Sequence, residues 1–407
     1  MEIEILKTVL LWGFGLAVIL GAVANKTNFC TMGAVSDWVN MGHTGRIRAW
    51  VWAMAVAIGG AALLEFMEII DLSLTTSNDT SNPPYRTPSL VWPRYIVGGL
   101  IFGVGMTLGS GCGNKTLIRV GGGNIKSIFV LAMIAAGAYL MMFTNFDNTV
   151  FLQWMNPISP DLSLYNISGQ DLGSVIAGAT GSADAAQIRM LLAALIVIVA
   201  AIWVFKSTDF RGDWNNIIGG SVVGLVVVGA WYITAGPMGT ELLEEAEMAE
   251  EIPFAIGAQS FTFVAPSGHL VHWGLSGFPA SLFTFALAAG AGVIVGSLAW
   301  SLVSRGFRFE WFVDFKDAAN HIIGGLLMGI GGVLSMGCTI GQAVSGASTL
   351  AIGSFLTFIS IVIGCAVTMK VSYYRMLHED AGFLDAFITA LVDVKLLPSG
   401  MRKLEDF

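Results

Sequence analysis

Charge is scarce in this chain. Asp, Glu, Lys and Arg make up 12% of its 407 residues, where soluble domains carry about 25%. That deficit excludes an ordinary soluble fold. Basic residues number 20 against 28 acidic ones, with no basic stripe and no aromatic–basic interleaving, so nothing equips the chain for nucleic acid. Cysteine is rare as well. Cys30, Cys112, Cys338 and Cys365 lie far apart, without CxxC or Cys/His spacing, which leaves no structural zinc site. The motif GxxxxGK[ST] is missing, so the chain is not itself an ATP-driven pump. No enzyme chemistry, cofactor or metal is expected.

What the sequence has is apolar length. It is 55% hydrophobic, with a mean hydropathy of +0.73. A helix needs about 20 apolar residues to cross a bilayer. Nine spans are read at 5–24, 48–69, 93–111, 125–145, 188–206, 216–235, 278–304, 320–337 and 350–371. Ala22-Val23-Ala24 mimics a signal-peptidase site, but the flank with Glu2 and Glu4 is acidic and a signal peptide starts basic, so the first span is kept. Loops are expected at 71–92 (with Asn82-Pro83-Pro84), 146–187 and 240–276. Residues 382–397 alternate at helical spacing and read as an interfacial helix on membrane lipid. The expected fold is an all-α polytopic membrane protein.

One stretch occurs twice. Gly98–Cys112 reads GGLIFGVGMTLGSGC and Gly324–Cys338 reads GGLLMGIGGVLSMGC, at a constant offset of 226 residues. Residues 236–239 likewise echo Cys30-Thr31-Met32-Gly33, with Gly236 where the cysteine would be. The chain is expected to divide into repeat halves, 1–206 and 207–381, followed by a cytoplasmic amphipathic segment, 382–407. With nine alternating spans, Lys7, Arg86, Arg94 and Arg189 fall on one side and the other 16 of the 20 basic residues on the opposite one. The positive-inside rule then puts the N-terminus outside, the C-terminus inside and the two halves in inverted orientation.

The segments after three cysteines, 31–42, 113–122 and 339–349, are too polar to span and read as half-crossing helices. Their N–H ends would make an electropositive place for an anion at mid-membrane. Gly111, Gly113 and Gly337 let the backbone come close there, and Lys115 sits beside Cys112. Thiols are weak donors and soft partners, which suits terminal sulfur or selenium better than chloride or phosphate. Asn28, Asn114 and Gln342 either cap the half-helices or donate to the anion, and Thr339 repeats the threonine after Cys30. Lys115 and Arg119 serve either as topological anchors or as anion attractors. The bland reading of the three cysteines is small buried filler; Cys365, inside a span, reads as packing. The acidic run Glu241, Glu244, Glu245, Glu247, Glu250 and Glu251 reads as a solvated helix face, and His269 and His272 as interfacial.

NFCTMGA around Cys30, GSGCGNKT around Cys112 and GGLLMGIGGVLSMGCTIGQAVSG around Cys338 resemble the three cysteine motifs of the YeeE/YedE family of sulfur-compound transporters. The likeness runs from about residue 9 to 372 and leaves the three loops as additions. It implies an hourglass of nine spans plus half-crossing helices in the inner (cytoplasmic) membrane. It also implies that thiosulfate passes along Cys30, Cys112 and Cys338 without nucleotide hydrolysis. A small cytoplasmic sulfur-carrier protein is the implied recipient. Three other readings stay open at this point: a selenium-compound transporter of the same fold, a membrane thiol–disulfide oxidoreductase, and a structural subunit of a larger complex. The absence of paired cysteines weighs against the second.

Overall fold

The computed structural model describes residues 4–73, 84–182, 184–249, 252–378 and 380–405. Glu2, Asn82, Pro83, Glu250 and Glu251 lie outside them. In order, the helices are α1 (Glu4–Lys26), α2 (Thr31–Met41), α3 (Gly45–Phe66), α4 (Trp92–Leu108), α5 (Gly113–Gly121) and α6 (Ile125–Phe143). Then come α7 (Leu172–Thr180), α8 (Ala185–Phe205), α9 (Trp214–Ala235), α10 (Pro237–Glu247), α11 (Ala265–Leu275), α12 (Phe285–Val303) and α13 (Phe315–Leu334). A π-helix (Ile340–Gly346), α14 (Ile352–Leu377) and α15 (Phe383–Asp393) complete the list, beside shorter turns. Among the described residues nine helices are long and apolar enough to cross a membrane, and only isolated bridges stand in for strands. This is an all-α polytopic membrane protein.

The expected spans are present with shifted ends. The largest correction is at 278–304: residues 278–284 form a turn, and the helix starts at Phe285, capped by the Thr284 hydroxyl accepting from Leu287 N–H. Asp171, Asp184 and Asp314 cap α7, α8 and α13 in the same manner, each side-chain oxygen pairing an N–H that the first turn leaves open.

Glycine sets the packing at the centre. α4 lies against α13, where a Cβ on Gly98 would come within 2.9 Å of Gly331 O, and one on Gly105 within 2.7 Å of Gly324 O. The two helices thus touch backbone to backbone, the device membrane helices use where no hydrophobic drive pulls them together. α1 packs on α12, α3 on α9, α4 on α14 and α6 on α13. α8 stands outside this set, packed on α3 and with Leu191, Leu195, Ile198 and Ile202 facing outward.

The loops are not all appendages. Residues 258–264, inside the 240–276 loop, run through the core as irregular backbone, with Phe261 and Phe263 fully buried. Their backbone is satisfied by side chains: Thr234 Oγ1 bonds the Gln259 N–H and carbonyl, and Ser345 Oγ donates to Phe261 O. Buried irregular backbone survives only with such partners.

Candidate functional site

The same piece of backbone places each cysteine. Phe29 N–H donates to Ala24 O (3.0 Å), Gly111 N–H to Met106 O (2.9 Å) and Gly337 N–H to Gly332 O (2.7 Å). The residue before each donor is left-handed: Asn28 at φ 51°, Ser110 at 59° and Met336 at 62°. This is the Schellman ending, which satisfies carbonyls that a stopped helix leaves open. A non-glycine residue there costs about 1–2 kcal/mol, whereas an unpaired carbonyl in hydrocarbon costs several. The strained turn is therefore the cheaper way to stop a helix inside a membrane.

Each cysteine then begins the next helix. The carbonyls of Cys30, Cys112 and Cys338 accept from the N–H groups of Ala34 (3.0 Å), Thr116 (2.9 Å) and Gln342 (2.8 Å). Three expected half-helices are thus present, the third as a π-helix, and their N-terminal ends meet. Cys112 lies near both the Cys30 thiol and the Thr339 hydroxyl, without a hydrogen bond of good geometry to either. Cys338, next to Thr339, accepts N–H groups from Phe263 (3.4 Å) and Gly341 (3.5 Å), with Thr262 Oγ1 at 4.0 Å. The side chains form one row, Cys338, Thr339, Cys112, Cys30. The three cysteines expose only 4%, 0% and 0% of their surface in chain order, so the row is closed off from the surface.

Cations gather at one end of the row. Lys115 Nζ donates to Asn28 Oδ1 (2.5 Å), Arg46 to Asn28 O (2.9 Å) and Arg119 to Ser110 O (2.7 Å). Among the described residues the only carboxylate bonded to these three is Asp37, 3.0 Å from Arg46. Gly111 and Gly337 leave room for the residues that fold back over each turn: a Cβ would meet Lys115 Cγ or Gln342 Cγ at 3.1 Å. Gly113 backs onto Phe263 and Val264.

Buried polar groups in proteins are nearly always paired, and an orphan costs about 1–3 kcal/mol. Here Thr31 Oγ1, both amide atoms of Asn114, Thr339 Oγ1 and Gln342 Oε1 are buried without a hydrogen bond of good geometry. All four residues belong to the cysteine motifs. Gln342 Nε2 is engaged by Ser335 O (2.6 Å). These unpaired groups all lie within four residues of a cysteine.

Sequence reasoning missed the clamp around the Cys338 turn. Tyr85 OH donates to Gly341 O (2.7 Å), and Arg86 Nε to Thr349 O (3.2 Å) while pairing with Glu65 (2.6 Å). Gln170 accepts the N–H groups of Ile352 and Gly353. Of the loops expected as additions, 71–92 holds the segment that follows Cys338, 146–187 holds the start of α14, and 240–276 supplies Thr262 and Phe263. No motif marks these residues; only Thr31 was legible, through the Cys-Thr pair it shares with Cys338-Thr339. Cys365 is buried and accepts from Thr107 Oγ1 (3.3 Å), as packing requires. His269 and His272 pack on Phe143.

Among the described residues, nine helices able to cross a membrane surround three buried cysteines, the build of a multi-pass membrane protein. The match to the Sulphur transport family runs over residues 26–367, and the chain belongs to that family. It is 27% identical over 275 residues to a protein of Spirochaeta thermophila named Thiosulfate transporter TsuA, covering 66% of this chain and 74% of the relative. A protein of the same name from Escherichia coli K12 is 21% identical over 376 residues, 90% of this chain and 96% of the relative.

Proposed function

We propose that this protein takes up thiosulfate across the inner (cytoplasmic) membrane along Cys338, Cys112 and Cys30. The observation that supports this most directly is the buried row of thiols flanked by orphaned polar groups. Thiosulfate offers a soft terminal sulfur to S–H donors and three oxygens to the Thr31 and Thr339 hydroxyls and the Asn114 amide N–H groups. Each thiol donates a hydrogen bond and passes the anion on; no covalent bond forms or breaks. Three helix N-termini add positive potential where the anion rests.

In this reading Cys338 faces the outside and Cys30 the cytoplasm, following the positive-inside rule. The halves 1–206 and 207–381 form an hourglass-like inverted repeat. Two facts support it: the Gly98–Gly331 contact maps onto Gly324–Gly105 at the 226-residue offset, and α1 packs on α12 as α3 packs on α9. Residues 382–407 lie at the cytoplasmic side, the outward face of α8 meets lipid, and a small sulfur-carrier protein collects the anion near Arg46 and Arg119.

The test is growth of a thiosulfate-uptake-deficient bacterium on thiosulfate as sole sulfur source. Wild type is expected to rescue, and Cys30→Ala, Cys112→Ala and Cys338→Ala to fail at equal membrane expression. Rescue by all three variants would discard the thiol path.

A further inference from the structure

Outside the thiol row, a cavity of about 370 Å³ opens at the end of the bundle where α6 terminates. Its wall includes Arg94, Met141, Met142, Asp147 and Met336. Met336 is the left-handed residue of the Cys338 turn, so the cavity lining reaches the turn that carries this thiol. Arg94 stands half-buried at the start of α4, and among the described residues its side chain bonds only Leu334 O, with Nε donating at 2.8 Å. Among the described residues no carboxylate lies within 4.0 Å of its guanidinium, in contrast to Arg86 and Arg189, which are both paired with Glu65.

Arginine presents several N–H groups in a rigid fork, which fits an oxyanion with two hydrogen bonds at once. An arginine that lacks an ion-pair partner yet faces a cavity offers that fork to a ligand. Asp147 is the acidic group across the cavity. Its Oδ1 is buried without a partner, and burial pushes its carboxyl above the ordinary range, with Arg94 opposing that. The thioethers of Met141, Met142 and Met336 are soft and polarisable. The cavity thus offers a hard, forked cation and soft sulfur in its wall.

We infer that this cavity is a separate capture site for a small sulfur oxyanion, with the Arg94 fork holding the oxygens and the methionines facing the soft sulfur before the anion reaches Cys338. The inference rests on the transport reading for its place in the path, but the site itself is a matter of binding. Arg94 also ties down Leu334, so a merely structural role must be separable.

The experiment uses the full chain in two assays. The first is equilibrium binding of radiolabelled thiosulfate to detergent-purified Cys338→Ala protein, which removes the first thiol and leaves the cavity. Binding is expected to persist there and to weaken about tenfold or more when Arg94→Met is added. Arg94→Lys, which keeps the charge and loses the fork, is expected to fall between. The second is uptake into proteoliposomes, where Arg94→Met is expected to raise KM and leave the maximal rate within about twofold. If Arg94→Met binds as tightly as its parent, or if only the maximal rate falls, the capture site is wrong and Arg94 is an anchor for the Cys338 turn. Absence of any uptake by wild type would instead sink the transport reading, and the binding assay would still decide the cavity.

Discussion

Cations hold the turns at Cys30 and Cys112; the donors at the Cys338 sulfur itself are backbone amides and a hydroxyl. The backbone turn is the same at all three, so the difference lies entirely in what surrounds it. Arg46, Lys115 and Arg119 hold the first two turns, while Phe263 N–H, Gly341 N–H and Thr262 surround the Cys338 sulfur. In the proposed direction of uptake, an anion leaves the neutral donors at the Cys338 sulfur for the cations beside Cys30.

The largest expected effect comes from the residue both ends share. Cys112→Ala cuts the row in the middle and is expected to lower uptake about a hundredfold, the worth of a hydrogen bond to a charged ligand of about 1.5–3 kcal/mol. A variant that retains half of wild-type uptake would show that the two ends work without their link. Next, Gly346→Ala strains only the Cys338 end. Its Cβ would crowd Ser354 Oγ and stand 2.7 Å from Tyr85 Cε1, so overpacking should cost about 1–3 kcal/mol, read as a lower melting temperature in detergent. Lys115→Met then tests the cationic end. Uptake should fall about tenfold, and Lys115→Arg should restore most of it if charge rather than shape is what matters. The smallest effect belongs to Tyr85→Phe, which frees the Gly341 carbonyl and should cost about 1 kcal/mol of stability. That change should leave the Lys115 end untouched, so any additive loss in the double variant keeps the two ends independent.

The fold was legible because its signals are long. Nine apolar runs, and a glycine-rich stretch repeated with its cysteine, are visible without neighbours. The thiols and Asn114, Lys115, Thr339 and Gln342 were legible because each sits within a few residues of a cysteine. What the sequence hid is long-range. Phe263 reaches Cys338 across 75 residues and acts through its backbone N–H, which any residue type would supply. Tyr85 reaches Gly341 across 256 residues from a loop whose composition reads as solvent-facing. The left-handed turns were hidden for another reason: glycine is the expected occupant, and at Ser110 and Met336 it stands one position late.

The burial of the thiol row has an electrical consequence. Where an outer cavity is wet and a bilayer's width narrows to a few buried side chains, the membrane voltage does not fall evenly across the lipid. In the proposed path it concentrates over the buried stretch between Met336 and Cys30. An elementary charge moved through the full potential changes energy by about 2.3 kcal/mol per 100 mV. A dianion entering a negative cell therefore meets about twice that, nearly all of it within this septum. Clamping the voltage of proteoliposomes and recording the rate measures the net charge that crosses: a steep decline toward negative inside means the anion travels alone, and a flat response means a cation neutralises it on the way.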